Sequence, residues 1–208
     1  MLRPPLSFSF TGFTVWLLPK QSPTNDLTKL AKSFAKLTNT EPLPCRPHIT
    51  LFYGVQLNGG EEQAKEMFLE LKESVKSFPG FCVNGLVCDT EFAGVNGGLM
   101  EMAWSELSLK LQDEHLPFVD RCKDVFRGGK TNKEDNWIPH LSLGYDNPME
   151  GCLYDMSALT RAIGEVNGDG EDIYRKREIE GLALVDTNGR IDEWRILDEF
   201  LFQDDDNI

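Results

Sequence analysis

No apolar run in the chain approaches the ~20 residues that a membrane-spanning helix needs, which argues against a helical membrane protein. Cysteine is sparse and unpatterned. The five cysteines, at positions 45, 82, 88, 122 and 152, include no C-x-x-C pair and no His/Cys grouping at zinc-ligand spacing. An odd count without a secretory signal reads as free thiols in a reducing compartment rather than a disulfide scaffold. Basic charge is also short: 21 Lys and Arg stand against 34 Asp and Glu, a net charge of -13. Such a chain repels a long polyanion and lacks the counterion-release term that drives general nucleic-acid binding, so a small phosphorylated ligand fits better. Local basic groups remain at Arg46 and at Arg127, Lys130 and Lys133, most of them read as solvated surface. Histidine is scarcest, with only three residues in the chain.

What is present suffices for a substantial core, since 40% of the 208 residues are hydrophobic. Met1 to Thr11 carries one arginine, two adjacent prolines and no unbroken apolar stretch, and is read as a leader that is not a secretory signal. Residues 12–203 are read as a single domain and 204–208 as an acidic, disordered tail. A cytoplasmic monomer is expected, with no membrane and no stable nucleic-acid partner.

Two of the three histidines sit in a repeated setting: Pro47-His48-Ile49-Thr50-Leu51 recurs as Pro139-His140-Leu141-Ser142-Leu143, close to half the chain away. Proline is only about 5% of average usage, so its place before both histidines is not a compositional accident. In a strand, residues i and i+2 share a face, so each copy presents an imidazole and a hydroxyl together and turns Ile49 or Leu141 into a core. The proline has no N–H for a ladder, which suits the start of a strand. An aromatic and glycine pair follows each copy, Tyr53-Gly54 and, in reversed order, Gly144-Tyr145. Two core strands with ordinary hydrogen-bonded histidines are the competing reading, and it suits a single copy better than a pair. His115 lacks the motif and lies beside Asp113 and Glu114, as an exposed helix residue would.

Elsewhere, Gly12 to Leu18 reads as a first strand and Thr24 to Lys36 as an amphipathic helix capped near Ser22 or Thr24. Glu61 to Phe78 reads as a second helix with Met67, Leu71, Val75 and Phe78 on one stripe. Gly80 to Phe92 and Gly98 to Leu111 read as strands around a turn at residues 94–97, and Asp113 to Phe126 and Leu153 to Val166 as helices. Residues 128–136 and 167–172 read as loops. Arg175 to Val185 and Ile191 to Phe202 read as strands flanking the Thr187-Asn188-Gly189 turn. The unit strand, helix, histidine strand, helix occurs twice. We therefore expect an α+β fold of two pseudo-symmetric lobes of antiparallel sheet with outer helices, a histidine strand from each lining a central cleft.

Two imidazoles and two hydroxyls converging on one pocket suit phosphoester cleavage without a metal. One imidazole takes a proton from water, the other gives one to the departing oxygen, and the hydroxyls hold the non-bridging oxygens. In-line displacement puts nucleophile and leaving group on opposite sides of phosphorus, which histidines from two lobes satisfy. A metal centre is the competing chemistry, but neither motif carries a carboxylate or cysteine beside its histidine, so the ligand set is incomplete and no cofactor is expected.

The His48-Ile49-Thr50 and His140-Leu141-Ser142 pair resembles the motifs of the two-histidine (2H) phosphoesterases, and most closely those of the plant and fungal cyclic phosphodiesterases. Val15-Trp16-Leu17-Leu18-Pro19 is similar to that group's first strand, and Leu182 to Thr187 with Trp194 to its closing hairpin. The resemblance implies a bilobal α+β fold, no required metal, and opening of a 2′,3′-cyclic phosphate to a 2′-phosphate. It implies as substrates nucleoside 2′,3′-cyclic phosphates and ADP-ribose 1″,2″-cyclic phosphate, a product of tRNA splicing. Carried over, His140 is the base for water and His48 the acid for the leaving oxygen, with Thr50 and Ser142 on the phosphate; the near-symmetric motifs leave the exchange of roles open. Tyr145 matches a ligand-contacting position. Trp16 and Trp137 offer a π-face for a base, with packing as the competing role. Two other readings stand beside this one: an RNA-end or 2′,5′-phosphodiesterase acting on oligonucleotides, which needs a basic track to the cleft, and a non-catalytic phospho-ligand binding module.

Overall fold

The computed structural model describes residues 9–20, 26–38, 42–78, 80–95, 98–111, 115–126, 138–146, 156–167 and 176–202. In chain order the elements are β1 (Phe13–Pro19), α1 (Asp26–Thr38), β2 (Ile49–Val55), α2 (Gly60–Ser74), β3 (Phe81–Val95), β4 (Gly98–Leu111), α3 (Leu116–Val125), β5 (His140–Asp146), α4 (Met156–Asn167), β6 (Ile179–Asp186) and β7 (Arg195–Leu201). The strands form one antiparallel sheet in the order β3-β4-β5-β2-β1-β6-β7. The fold is α+β, and its two halves, β5-β4-β3 and β2-β1-β6-β7, meet at the two histidine strands. That junction is a single registered pair, Ile49 opposite Leu141. The histidine strands thus lie side by side in the sheet.

One face of the sheet carries the core. Leu27, Leu30 and Phe34 of α1, Ala64, Phe68 and Leu71 of α2 and Val119 and Cys122 of α3 recur at three- and four-residue spacings, so each of these helices turns one stripe inward, and α4 adds the neighbouring Ala162 and Ile163. They pack on Val15, Leu17, Ile49, Leu51, Leu141 and Leu143. The opposite face holds a small cluster of Trp16, Leu18, Ala183 and Val185, with Cys45 and Trp194 against it. β1 is therefore buried on both faces, as its unbroken Phe-Thr-Val-Trp-Leu-Leu run requires. β4 alternates instead, with Leu107 and Leu109 buried and Lys110 exposed.

Several boundaries differ from the sequence expectations, each for a local reason. α2 stops at Ser74 rather than Phe78, although Val75 and Phe78 remain buried. Val75 is extended, and Pro79 disfavours a helical conformation for the residue before it. β3 runs on to Val95, past the expected turn at residue 94, because it stays paired with β4 throughout. β7 begins at Arg195, since residues 191–193 form a single 3₁₀ turn. There the Arg190 N–H donates to the Glu193 carboxylate at 2.7 Å and the Glu193 N–H to the Arg190 carbonyl at 2.9 Å, local bonds that replace a ladder. β6 begins at Ile179, while residues 24–25 and 153–155, where α1 and α4 were expected to begin, lie outside the described residues. Phe10, within the stretch read as a leader, exchanges backbone bonds with Gly189 at 2.7 and 3.1 Å. His115 stands at the N-cap position of α3 and is half-buried rather than exposed. The expected cap at Ser22 or Thr24, Trp137, the loop 128–136, Cys152 and the tail 204–208 lie outside the described residues.

Candidate active site

The register of the two histidine strands builds the site. Ile49 and Leu141 are 0% exposed on the core face, so their flanking residues point to the other face. Continuing the antiparallel pairing one step each way sets His48 opposite Ser142 and Thr50 opposite His140. Four chemically active side chains thus form a two-by-two array. The imidazoles occupy one diagonal, with Cβ atoms roughly 7–8 Å apart by ordinary sheet geometry, and the hydroxyls occupy the other.

Both imidazoles are held in the same way. His48 Nδ1–H donates to the Arg46 carbonyl and His140 Nδ1–H to the Ile138 carbonyl, each at 3.0 Å. A carbonyl only accepts, so Nδ1 keeps its hydrogen and Nε2 is the nitrogen that exchanges a proton. The intervening proline accounts for the geometry. Its φ is fixed, and it forces the residue before it to be extended, which presents that residue's carbonyl to the ring two positions on. The Pro-His sequence is thus a device for choosing a tautomer.

The two histidines differ in their surroundings. His48 is 6% exposed and stacks flat on Trp16, with ring centroids 3.6 Å apart and planes 12° from parallel. Burial pulls its pKa from the ordinary 6.5 down to about 4; the bond to the Arg46 carbonyl opposes this, and charge on His140 and Arg46 adds to it. His140 lies near enough for its charge to be felt there, and is itself half-buried. Trp16 reaches His48 because β1 pairs with β2 so that Trp16 lies opposite Thr50. Only 1% exposed, the indole supports the imidazole.

Tyr145 closes on the second half-site, its hydroxyl 2.8 Å from Ser142 Oγ. Phe10 packs edge-on against both Tyr145 and Trp194, at centroid distances of 6.4 and 5.0 Å, and Trp194 lies 6.0 Å from Trp16. Aromatic contacts therefore link His48 to Tyr145 through Trp16, Trp194 and Phe10. Sequence reasoning missed Phe10; its one signal was an aromatic just ahead of the first strand. The segment is anchored by Thr187, whose hydroxyl donates to the Gly12 carbonyl at 2.8 Å, and by Gly12, where a Cβ would meet the Val55 carbonyl at 2.6 Å.

Arg46, one of the local basic groups, is ion-paired. Its guanidinium is 3.7 Å from Glu180 and 3.3 Å from Glu199. Cys45 lies in the small cluster beside Trp16, where burial raises its thiol to about 11, so it is a packed, neutral thiol. Among the described residues, no group of three His, Cys, Asp or Glu could hold a metal ion.

No protein-family model matches the chain, and neither does any curated protein. Among solved structures, Usb1 of Kluyveromyces marxianus aligns with a TM-score of 0.49 at 13% identity, over 93% of this chain and 98% of that one. The same protein with uridine monophosphate aligns with a TM-score of 0.49 at 9% identity, over 92% and 98%.

Proposed function

We propose that this chain is a two-histidine phosphodiesterase of the 2H type that opens cyclic phosphates, with nucleoside 2′,3′-cyclic phosphates and ADP-ribose 1″,2″-cyclic phosphate as its substrates. The observation that supports this best is the diagonal array built on the Ile49 and Leu141 pair. A phosphate at its centre has an imidazole Nε2 on either side and a hydroxyl at each remaining corner. In the direction implied by the motif resemblance, His140 takes a proton from water as its oxygen attacks phosphorus. The bond to the ester oxygen opposite breaks, and His48 gives that oxygen a proton. Thr50 and Ser142 donate to the non-bridging oxygens, where charge accumulates. One water is consumed, and the opened product carries both the phosphomonoester and the freed hydroxyl on the same sugar.

Each proton transfer contributes on the order of 10²- to 10⁴-fold. His48→Ala or His140→Ala should therefore lower kcat/KM by at least about 100-fold, while Thr50→Ala and Ser142→Ala should each cost less than the double variant. Since one imidazole must be neutral and the other charged, kcat/KM should be bell-shaped in pH, with limbs that belong to the pair. A profile flat between pH 5 and 8, or full activity in either alanine variant, would refute the assignment.

A further inference from the structure

The two motifs are alike for one step further than the histidine and hydroxyl. A tyrosine follows the hydroxyl residue at the third position in each, giving His48, Thr50 and Tyr53 in one strand and His140, Ser142 and Tyr145 in the other. In a regular strand, odd spacing would put each tyrosine on the core face. Both strands avoid this in the same way. The β1–β2 register steps from Trp16 opposite Thr50 to Val15 opposite Phe52, so β2 has an extra residue at Leu51, and a second shift, to Phe13 opposite Val55, adds another at Tyr53-Gly54. The β4–β5 register steps from Glu106 opposite Ser142 to Ser105 opposite Gly144, so β5 has an extra residue at Leu143. Each bulge sends two successive residues inward, Leu51 with Phe52 and Leu143 with Gly144, all buried. The tyrosine that follows then returns to the face of the histidine. In β2 the Thr14 hydroxyl, itself buried, fixes the bulge by donating to the Phe52 carbonyl.

For Tyr145 the result is visible in its contact with Ser142. Tyr53 emerges on the site face at the opposite end of the array, beyond Thr50 and His140, and is 65% exposed. An exposed tyrosine is unremarkable by itself. One placed by a matched bulge in a matched motif, its ring unburied while its counterpart closes on the catalytic row, is a different matter. We infer that Tyr53 is a specificity residue whose ring stacks a nucleobase on the far side of the phosphate from Tyr145. The preferred substrate would then extend beyond one nucleoside, as a dinucleotide ending in a 2′,3′-cyclic phosphate does. The inference rests on the phosphodiesterase reading above.

The test compares a nucleoside 2′,3′-cyclic phosphate with a dinucleotide bearing the same terminal group, using the wild-type chain and Tyr53→Ala, Tyr53→Phe and Tyr53→Trp. Stacking on an aromatic side chain contributes enough that Tyr53→Ala should raise KM for the dinucleotide on the order of tenfold. Its kcat, and its KM for the mononucleotide, should stay within about twofold of wild type, and Tyr53→Phe and Tyr53→Trp should restore the dinucleotide KM. Wild-type turnover with no dinucleotide-specific change in Tyr53→Ala would overturn this inference and leave the phosphodiesterase reading intact. Wild-type failure on both compounds would instead remove that reading. Calorimetric binding of the dinucleotide then decides, and equal affinity in wild type and Tyr53→Ala overturns the inference too.

Discussion

His48 presents the sharpest physical problem in the molecule, because an acid catalyst must carry a proton and this imidazole sits where a proton is disfavoured. Burial against Trp16 holds it near 4 in the free protein, so it is neutral at neutral pH. A bound phosphate changes the balance, since an anion beside Nε2 favours the charged ring. Binding of a nucleoside 2′-phosphate at pH 6.5 should therefore take up a proton in wild type and not in His48→Gln, measured by calorimetry in buffers of different ionisation enthalpy. Absence of uptake in wild type would mean His48 enters the reaction neutral and serves as the base, exchanging roles with His140. The same depressed pKa affects stability. The folded value lies below the unfolded 6.5, so this contribution is fully present above pH 6.5 and is lost as pH falls through that window toward 4. It amounts to about 3 kcal/mol at full protonation. Urea unfolding should thus show wild type losing stability between pH 6.5 and 4 more steeply than His48→Gln, and parallel curves would contradict the burial argument.

β2 and β5 are where sequence and structure agree most closely, and where the reasons for disagreement are clearest. The alternation in Pro-His-Ile-Thr-Leu and Pro-His-Leu-Ser-Leu correctly placed Ile49 and Leu141 on the core face, because a period of two admits no other arrangement. The amphipathic helices were legible for the same reason. The bulges at Leu51 and Leu143 were not, because an inserted residue reverses parity without altering composition, so Tyr53 looked like no more than half of an aromatic and glycine pair. The Trp16 stack depends on cross-strand register, which one strand's sequence does not contain. Packing across the junction has its own consequence. Ile49 and Leu141 face each other at 0% exposure, so Ile49→Ala or Leu141→Ala should destabilise the fold by about 2–5 kcal/mol. Thr50→Ala and Ser142→Ala should cost much less stability while lowering turnover. Thermal and urea denaturation separate the two effects, and equal losses at core and hydroxyl positions would contradict the assigned faces.

Across the whole molecule, the repeat places one half-site in each half of the sheet and joins the halves at a single registered pair. Under the proposed mechanism neither half holds both the acid and the base, so turnover would require both halves. The net charge of -13 fits a small ligand held by directed groups better than a long polyanion held by a basic field, and turnover of a cyclic mononucleotide should depend only weakly on salt. In the proposed mechanism two imidazoles act on one phosphorus. Phosphorus NMR of the purified chain in excess EDTA tests it directly, with a nucleoside 2′,3′-cyclic phosphate and ADP-ribose 1″,2″-cyclic phosphate, beside His48→Ala and His140→Ala. Wild type should convert each substrate to one phosphomonoester regioisomer, and neither variant should do so over the same interval. A mixture of regioisomers, or conversion that survives loss of one histidine, would contradict that mechanism.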